Sequence, residues 1–396
     1  MRNIIKIKSD YYFPAVLDNI SEQTLRKNLL NLELETVYWD DIEIGNKSTM
    51  KIKISNKLIL FFILLTNNFI LISNNLDSMI AGGTLLLSFI SGLTGIYLLG
   101  AGIFLIEKKE AEFYHIVKEN DFIIVQSEIV KKWTEMKHNK TRYFVEISQK
   151  VYLVNNNIKY DKKKVLVGET GAVASVLNKS RPDNIEKHQI KEEIHFFLPK
   201  FLENIDINNL KRDIKKLIDY KKRVIMEYIK SVNFNNQNVI NVESNVISIT
   251  SKMVLIFAYL SNDFNPLHCS KTFASNLPSK LFNKKNISHG ALNIGLISGV
   301  NSIVKLLFPN YNFKLIKKKK GQFIKPLKFG DKIIIKSEMK FVKDSQDDNN
   351  SLYLETNEDV FLLIGRENEV KEVLAIKSGS IYQVYCEGDE VFWKIK

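Results

Sequence analysis

The sequence predicts an α+β chain in which a transmembrane helical hairpin and a small β-rich region precede a helical linker and a larger C-terminal domain. Between Leu58 and Ile106 the only charged residue is Asp77, and such a run is long enough to cross a bilayer twice. Near the C-terminus, a long apolar helix is followed by segments of period-two alternation, which is typical of strands. We therefore expect five units, at residues 1–57, 58–106, 107–182, 183–237 and 238–396.

Composition sets the class of protein and of partner. The 396 residues are 45% hydrophobic and 26% charged, as in ordinary folded proteins. The formal net charge of +13 favours acidic partners such as anionic lipid or an acidic carrier protein. We expect no nucleic-acid partner, because no zinc finger or basic recognition motif is present. The two cysteines, Cys269 and Cys386, form no CxxC pair, so no disulfide framework is expected.

The hairpin is predicted from its lack of charge and from its flanks. Asn67 and Asn68 interrupt the first half and would have to bond to the partner helix. Lysines lie on both flanks and none lies in the connection, so the positive-inside rule puts both termini in the cytoplasm of a membrane-bound protein. The alternative is a buried hairpin in a soluble core. We disfavour it because a soluble helix of this length should show a polar stripe.

The region after the hairpin changes character at Pro182. Before it, segments such as TRYFVEISQKVYLV alternate as strands of a small antiparallel sheet do. After it, Leu210, Ile214 and Leu217 fall at helical spacing among basic residues. This helix is either a linker packed on its neighbour, which we favour, or an amphipathic helix on anionic lipid. Inspection of the sequence finds no internal repeat.

The stretch SNDFNPLH, which ends at His268, carries the first candidate chemistry. Pro266 keeps Asn265 out of the helical conformation, so a loop separates Asp263 from His268. A loop can bring a carboxylate and an imidazole together on one water, which is the arrangement of an acid–base pair. An Asp and a His in one loop are common, so this stretch alone does not establish a site.

The second stretch, ISHGALNIGLIS, begins a helix that is apolar almost all round and should be buried. It opens with His289 and Gly290. A free backbone N–H at Gly290, at the positive end of the helix, suits an oxyanion donor. The third stretch is QFIKPLKFGD, in which Pro326 and Gly330 separate two strand-like runs.

Together these stretches resemble the MaoC-like (R)-specific enoyl-thioester hydratases, whose signature typically reads SGDxNPxH. The three motifs follow the family's order and cover about the last two-fifths of the chain. The resemblance implies a hotdog fold, an antiparallel sheet wrapped around one long central helix. It also implies hydration of trans-2-enoyl thioesters, or dehydration of (R)-3-hydroxyacyl thioesters, without metal or other cofactor. Asn262 departs from the family, which usually has glycine there, and asparagine is the residue that best replaces glycine at positive φ.

The resemblance also implies the roles of individual residues. Asp263 and His268 match the catalytic pair that activates water, and Gly290 matches the amide that binds the thioester oxygen. Substrate-binding positions are expected at Asn265, Ser298, His289, Lys317 and Lys318.

The partners expected are an acyl-CoA or acyl carrier protein thioester, membrane lipid at the hairpin, and a second copy of the chain. Lysines around Lys317 and Lys318 would meet the phosphates of the carrier, or they form a solvated loop or a patch against anionic lipid beside the hairpin. A homodimer is expected because a lone hotdog unit usually completes its site against another copy. Two other functions are left open: a non-catalytic acyl-thioester-binding module and a hotdog thioesterase.

Overall fold

The computed structural model describes residues 5–29, 37–72, 76–100, 103–137, 139–154, 164–176, 180, 192–229, 239–276, 285–343, 352–365 and 369–386. Its helices are α1 (Ala15–Asp18), α2 (Glu22–Leu29), α3 (Asn56–Thr66), α4 (Gly83–Gly92), α5 (Lys200–Glu203), α6 (Ile207–Ile229), α7 (Ser251–Ser261), α8 (Pro266–Cys269), α9 (Lys271–Asn276), α10 (Gly290–Asn301) and α11 (Ile303–Leu307). Short 3-10 turns cover Trp39–Asp41 and Phe69–Leu71, and Leu93–Leu98 continue α4 as a π-helical segment.

The strands are β1 (Ile5–Ser9), β2 (Lys47–Lys53), β3 (Ile80–Ala81), β4 (Ile103–Lys108), β5 (Ala111–Phe113), β6 (Val117–Lys118), β7 (Phe122–Lys137), β8 (Lys140–Val154), β9 (Lys164–Val176), β10 (Glu193–Phe196), β11 (Val239–Ser244), β12 (Ile247–Ser248), β13 (Tyr311–Lys318), β14 (Gly321–Phe323), β15 (Lys332–Lys343), β16 (Leu352–Ile364) and β17 (Lys371–Cys386). Within the described residues, one 15-stranded sheet contains all of them except β3 and β6, which pair with each other.

The sheet consists of two hotdog halves, each wrapped around its own central helix. In the C-terminal half, the strand order β11-β15-β16-β17-β13 curves around α10. In the N-terminal half, β2-β7-β8-β9-β4 follow the same order and direction, with α4 as the counterpart of α10. The hotdog fold expected for the C-terminal region is therefore present, and the chain builds it twice.

The helix before each central helix shows that the two halves are repeats. Ser55 caps the start of α3 and Thr250 caps the start of α7, each accepting a hydrogen bond from the N–H three residues on. The helices have matching sequences, KLILFFILLTNNF and KMVLIFAYLSNDF. Both end at an asparagine in the left-handed region, Asn67 at φ 58° and Asn262 at φ 61°, where asparagine is tolerated better than most residues.

The turn into the long strand is repeated as well. Asn120 (φ 68°) precedes β7 and Gly330 (φ 87°) precedes β15. The aspartate that follows, Asp121 or Asp331, accepts a 2.7 Å hydrogen bond from the N–H three residues earlier. The sequences EFYHIVKENDFIIVQSE and QFIKPLKFGDKIIIKSE align through this turn. The prediction that the chain has no internal repeat is therefore wrong. The two halves share turns and helix caps, and few identical residues accompany these features in the sequence.

The two halves form one continuous sheet and share one core. Their sheets join where Lys317 and Lys318 of β13 pair with β5, and where β14 pairs with β4. Each half also receives a short parallel edge strand, β1 on β11 and β10 on β2. β1 precedes the N-terminal half in the chain but completes the C-terminal half, so the N-terminal segment ties the two halves together.

The prediction of a transmembrane hairpin at Leu58–Ile106 is not supported. Besides β3 and the start of β4, the described part of this range contains two short helices, α3 and α4, which lie side by side with α7 and α10 in the core. They lack a polar stripe because packing surrounds them on all sides, which is the buried-core alternative. Of the described helices, one is long and apolar enough to cross a membrane by length and composition. It is the segment Gly290–Leu307, which is 78% buried within the fold.

The separate β-rich domain and linker also need correction. The strands predicted at 107–182 belong to the N-terminal hotdog sheet and not to an independent unit. In the predicted linker at 183–237, α6 packs on α3, with Leu210, Ile214 and Leu217 buried. The rest of that prediction includes residues 183–191 and 230–237, which lie outside the described residues. The helix therefore covers the N-terminal half, as the packed-helix interpretation expects.

Candidate active site

The loop after α7 brings Asp263 and His268 to one place. The left-handed residue Asn262 ends the helix, and the Nδ2 of its side chain lies 3.0 Å from the hydroxyl oxygen of Tyr97. Asn265 is extended (φ −50°, ψ 125°) and its Oδ1 accepts a hydrogen bond from Leu267 N–H, which caps α8. As expected from Pro266, the chain leaves the helical conformation between the two groups.

Asp263 is buried, with 2% of its surface exposed. Its Oδ2 accepts a 2.7 Å hydrogen bond from the Oγ of Ser91 in α4, and its Oδ1 lies 3.5 Å from the N–H of Asn265. Burial raises the pKa of this carboxyl, and His268, Ser91 and the Asn265 N–H oppose the shift. A side chain at Gly95 would place its Cβ 3.0 Å from Oδ1, so that glycine makes room for the carboxylate.

His268 is held by its other ring nitrogen. Nδ1 lies 2.9 Å from the backbone oxygen of Ile287, and because a carbonyl only accepts, Nδ1 carries the proton and Nε2 is free to accept. Burial lowers the pKa of His268, opposed by Asp263. A ring nitrogen and a carboxylate oxygen of this pair lie within 4.8 Å of each other. One water at hydrogen-bond distance from both would bridge about 4.5 Å.

The pair faces a cavity between the two halves. From the C-terminal half the walls include Asn265, Gly290 and Ala291, and from α4 they include Ser91 and Gly95. The strands of the N-terminal half complete the wall with Ile103, Phe104, Leu105, Lys108, Ile147, Gln149, Ala172 and Ala174. The cavity is thus mainly apolar with a few polar groups, which is typical of small-molecule sites.

Gly290 is the first residue of α10 and lines this cavity. A Cβ there would lie 3.0 Å from Phe323 and 3.1 Å from Leu105, so a side chain would crowd the wall. Its position at the positive end of a buried helix suits the binding of a negatively charged oxygen. The structure therefore brings together Asp263, His268, Asn265 and Gly290, as the motifs predict.

Other predicted site residues lie elsewhere. His289 is fully buried and its Nε2 contacts the backbone oxygen of Asp263 at 2.8 Å, so it holds the loop and not the substrate. Ser298 lies beside Asn68 and Tyr382 at a second, smaller cavity that residues of both halves line. It misses the cavity at Asp263 and His268 because each central helix contacts the loop of the opposite half, and α10 therefore meets the loop of Asn68. A Cβ at Gly92 would lie 2.0 Å from the Ser261 oxygen.

The two lysines predicted to bind substrate are also misplaced. Lys318 is 2% exposed and forms a buried ion pair with Glu358, with Ser380 as a further partner. Lys317 pairs with Glu110 and Glu112 across the junction of the two halves. Both lie on β13, which turns Lys318 into the core and leaves Lys317 at the junction, because successive side chains of a strand point to opposite faces. Lys325, from the same basic stretch, is exposed and does line the cavity.

Among the described residues, Asp263, His268 and His289 are grouped as the ligands of a metal ion could be. One possible ligand atom of each lies within 4.8 Å of the others. The two imidazole rings lie over one another, with centroids 3.9 Å apart and planes at 36°. Stacked rings do not direct their in-plane lone pairs at one ion without reorientation, and both rings already contact carbonyl oxygens. Their arrangement fits stacking and anchoring of the loop.

Ser91, Thr94, Lys108 and Gln149 are cavity residues that the sequence analysis missed. All four belong to the N-terminal half, which was assigned to a membrane hairpin and a separate sheet. The signal that would have found Ser91 is the repeat itself, because ISGLT in α4 aligns with ISGVN in α10. Ser298, the residue chosen from the family motif, is the repeat counterpart of Ser91.

Comparison with known proteins agrees with this architecture. Residues 236–358 match the family model described as MaoC like domain. No curated protein matches the chain. The chain is similar in structure to a MaoC domain protein from Chloroflexus aurantiacus described as a dehydratase, with a TM-score of 0.56 and 12% identity over 89% of this chain and 98% of that one.

A second structure describes the two-half architecture by name. It is a conserved hypothetical protein from Mycobacterium tuberculosis described as having a double hotdog fold. The TM-score is 0.54 and the identity 14%, with 88% of this chain and 98% of that one covered. At these identities the similarity establishes the fold.

Proposed function

Because residues 236–358 form a MaoC-like domain, we propose that the protein is a hydro-lyase. It reversibly adds water to trans-2-enoyl thioesters and gives (R)-3-hydroxyacyl thioesters. The observation that carries the proposal is the buried pair of Asp263 and His268, one water apart, in a cavity that the start of α10 also lines. The reaction needs groups that transfer a proton and a donor that stabilises a negative oxygen, and an acid–base pair next to a helix N-terminus provides both.

The hydrogen bonds of Asp263 and His268 suggest how the proton is transferred. Ser91 and the Asn265 N–H donate to Asp263, which favours the ionised carboxylate. The bridging water then donates to Asp263 and to Nε2 of His268, and its oxygen adds to C3 of the substrate. The proton that this pair takes up returns to C2 on the same face, so that addition is syn. Dehydration is the reverse sequence.

The thioester oxygen becomes negative as water adds, and the backbone N–H of Gly290 stabilises that charge. Its backbone N–H at the start of α10 is a donor that requires no reorganisation during the reaction. Loss of one such donor typically costs about 3 kcal/mol of transition-state stabilisation. A bulkier residue at Gly290 would push against Phe323 and Leu105, so Gly290→Val should lower kcat through a displaced thioester.

The carrier of the acyl group is coenzyme A or acyl carrier protein, both of which present a phosphorylated pantetheine arm. Among the lysines of the basic stretch, the exposed Lys325 is the one that lines the cavity. It therefore takes the role first assigned to Lys317 and Lys318. A contact with the carrier phosphates should weaken as the ionic strength rises past about 0.15 M, where the Debye length is roughly 8 Å.

The direct test is hydration of crotonyl-CoA by the purified full-length protein, followed as loss of the enoyl absorbance. We expect turnover that His268→Ala abolishes, with the exposed His195 as matched control, since His195→Ala removes an imidazole on β10 away from the cavity. Release of free thiol would instead indicate a thioesterase. Tight binding without either reaction would indicate a binding module, and each of these outcomes contradicts the hydratase.

A further inference from the structure

The cavity contains a buried lysine that the hydration mechanism does not use. Lys108 ends β4, is 7% exposed and lines the same cavity as Asp263 and Gly290. Its Nζ donates a hydrogen bond to the Oε1 of Gln149. The Nε2 of Gln149 donates in turn to Thr94 Oγ1 at 2.7 Å. Lys108, Gln149 and Thr94 therefore form one polar cluster in the cavity wall, and a hydrogen bond between the hydroxyls of Thr94 and Ser127 at 3.0 Å extends it.

Comparison of the two halves, within the described residues, shows that Lys108 lacks the counter-ion that its counterpart has. Its counterpart in the C-terminal half is Lys318, which forms a buried ion pair with Glu358. Glu358 pairs with Ser337 across the sheet, just as Gln149 pairs with Ser127. Gln149 thus occupies the place of the glutamate. Among the described residues, no carboxylate forms an ion pair with Lys108.

A buried ammonium without a counter-ion is costly, because it has lost its hydration and gained no charge partner. Burial lowers the pKa of Lys108 to about 7. An ammonium has three donors, and Gln149 is the one acceptor recorded for Lys108 within the described part of the chain. The remaining donors and the charge are therefore available to an anion that enters the cavity.

We propose that Lys108 binds a carboxylate at the acyl end of the substrate, so that the enzyme prefers enoyl thioesters of dicarboxylic acids. The inference rests on the proposed hydratase function and names the substrate class of that site. Lys108 and Asp263 line one cavity, and Thr94 of the lysine cluster is next to Gly95, where an added Cβ would lie 3.0 Å from the Asp263 carboxylate. In this proposal, the acyl chain lies in the part of the cavity between the catalytic pair and the lysine.

The carrier phosphates are a different anion and meet a different lysine. Lys325 lies at the exposed part of the cavity, where a coenzyme remains in solvent, whereas Lys108 is buried among Gln149 and Thr94. The acyl group is the part of the substrate that enters the protein. Its terminal carboxylate is thus the anion that reaches Lys108.

The first experiment compares two five-carbon substrates, trans-glutaconyl-CoA and trans-2-pentenoyl-CoA, which differ in the terminal carboxylate. We expect a higher kcat/KM for glutaconyl-CoA. In Lys108→Met the ratio of the two kcat/KM values should fall on the order of 30-fold, as expected for one charge-assisted hydrogen bond. Lys325→Met is the matched control, because a carrier contact serves both substrates and leaves the ratio unchanged.

A second variant, Gln149→Glu, tests the inference independently in case Lys108→Met does not fold. Gln149→Glu supplies the internal counter-ion that Glu358 gives Lys318, and it keeps the lysine. We expect this variant to lose the preference for glutaconyl-CoA, because the new carboxylate occupies Lys108 and repels the substrate. An unchanged preference in Gln149→Glu, or an equal loss for both substrates in Lys108→Met, overturns the inference.

Calorimetric binding of the saturated analogues glutaryl-CoA and pentanoyl-CoA separates this inference from the hydratase proposal. If neither enoyl substrate is hydrated, the proposed function fails, yet tighter binding of glutaryl-CoA that disappears in Gln149→Glu would still support the lysine site. If pentenoyl-CoA is hydrated and glutaconyl-CoA is not preferred, the hydratase stands and the assignment of Lys108 is wrong.

Discussion

The two halves of the protein share a framework and differ in the side chains that carry chemistry. Asp263 in the C-terminal loop has Asn68 as its counterpart in the N-terminal loop. Ala174 on β9 corresponds to Tyr382 on β17, so a small side chain lines the larger cavity and a large side chain lines the smaller one. The difference teaches that the fold is built twice, whereas the carboxylate of the candidate site is present in one half. The N-terminal half has become the wall of the site.

The close contact between halves explains this division. A Cβ at Gly299 would lie 1.7 Å from the Thr66 oxygen, and one at Gly92 would lie 2.0 Å from the Ser261 oxygen. Each central helix therefore touches the opposite loop, and Ser91 reaches Asp263. One chain thus supplies both units that we expected from two copies. The homodimer stays a prediction, but completion of the site no longer requires it.

The largest effect is expected from making the catalytic loop resemble its counterpart. Asp263→Asn introduces the residue that the N-terminal loop has at Asn68. We expect kcat/KM for crotonyl-CoA to fall on the order of 10³-fold, the contribution of a positioned acid–base group. The fold should survive, because Asn68 shows that this position accepts an amide. Wild-type turnover in this variant would remove Asp263 from the mechanism.

The buried ion pair is the next test, and it concerns stability. Glu358→Gln makes the pair Lys318–Glu358 resemble Lys108–Gln149, and it leaves Lys318 buried without a counter-ion. We expect a loss of about 3 kcal/mol in the free energy of unfolding, measured with urea. Glu355→Gln is the control, because its contact with Lys319 is exposed and 3.8 Å long. That change should cost less than about 1 kcal/mol.

The same pair gives a pH dependence with a definite sign. Burial raises the pKa of Glu358, but Lys318 and the hydroxyls of Ser380 and Thr356 outweigh it and hold the pKa below the usual value. A lowered carboxyl pKa contributes stability above the unfolded value, and this is lost as the pH falls through the folded one. The stability difference between wild type and Glu358→Gln should therefore shrink below about pH 4. A difference that is constant with pH would argue against a charge effect.

The cavity itself is tested by filling it as the other half is filled. Ala174→Tyr places the counterpart of Tyr382 in the wall of the site. We expect kcat/KM to fall about 100-fold, the scale of loss when a substrate is misplaced by about 1 Å. Ala174→Ser is the control of nearly unchanged size. If Ala174→Tyr keeps its activity and its melting temperature, the acyl group does not occupy this region.

The smallest effect is expected at the helix serines. Ser91→Ala removes the hydroxyl that donates to Asp263, and one such hydrogen bond to a charged group is worth roughly a tenfold change in kcat/KM. Because Ser91 lowers the pKa of Asp263, its loss should move the acid limb of the pH–rate profile to higher pH. Ser298→Ala, the repeat counterpart, should leave both unchanged. Equal effects of the two variants would contradict the assignment of Ser91.

The sequence alone determined the local chemistry of the C-terminal half. SNDFNPLH predicted an extended Asn265 and a loop that joins Asp263 and His268. ISHGALNIGLIS predicted a buried helix that begins at Gly290. These predictions succeeded because caps, prolines and apolar periodicity act over a few neighbouring residues, which a single sequence displays directly.

Tertiary structure decided everything that depends on the second half. An apolar run without a polar stripe indicates burial, but it does not say whether lipid or protein provides the surroundings, so α3 and α4 were assigned to a membrane. The same limitation put Ser298 in place of Ser91, because two repeats offer equivalent residues and only packing selects one. The burial of Lys318 was likewise decided by the direction in which β13 faces. Which half's residue reaches a site depends on contacts between distant segments, and those exist only once the chain has folded.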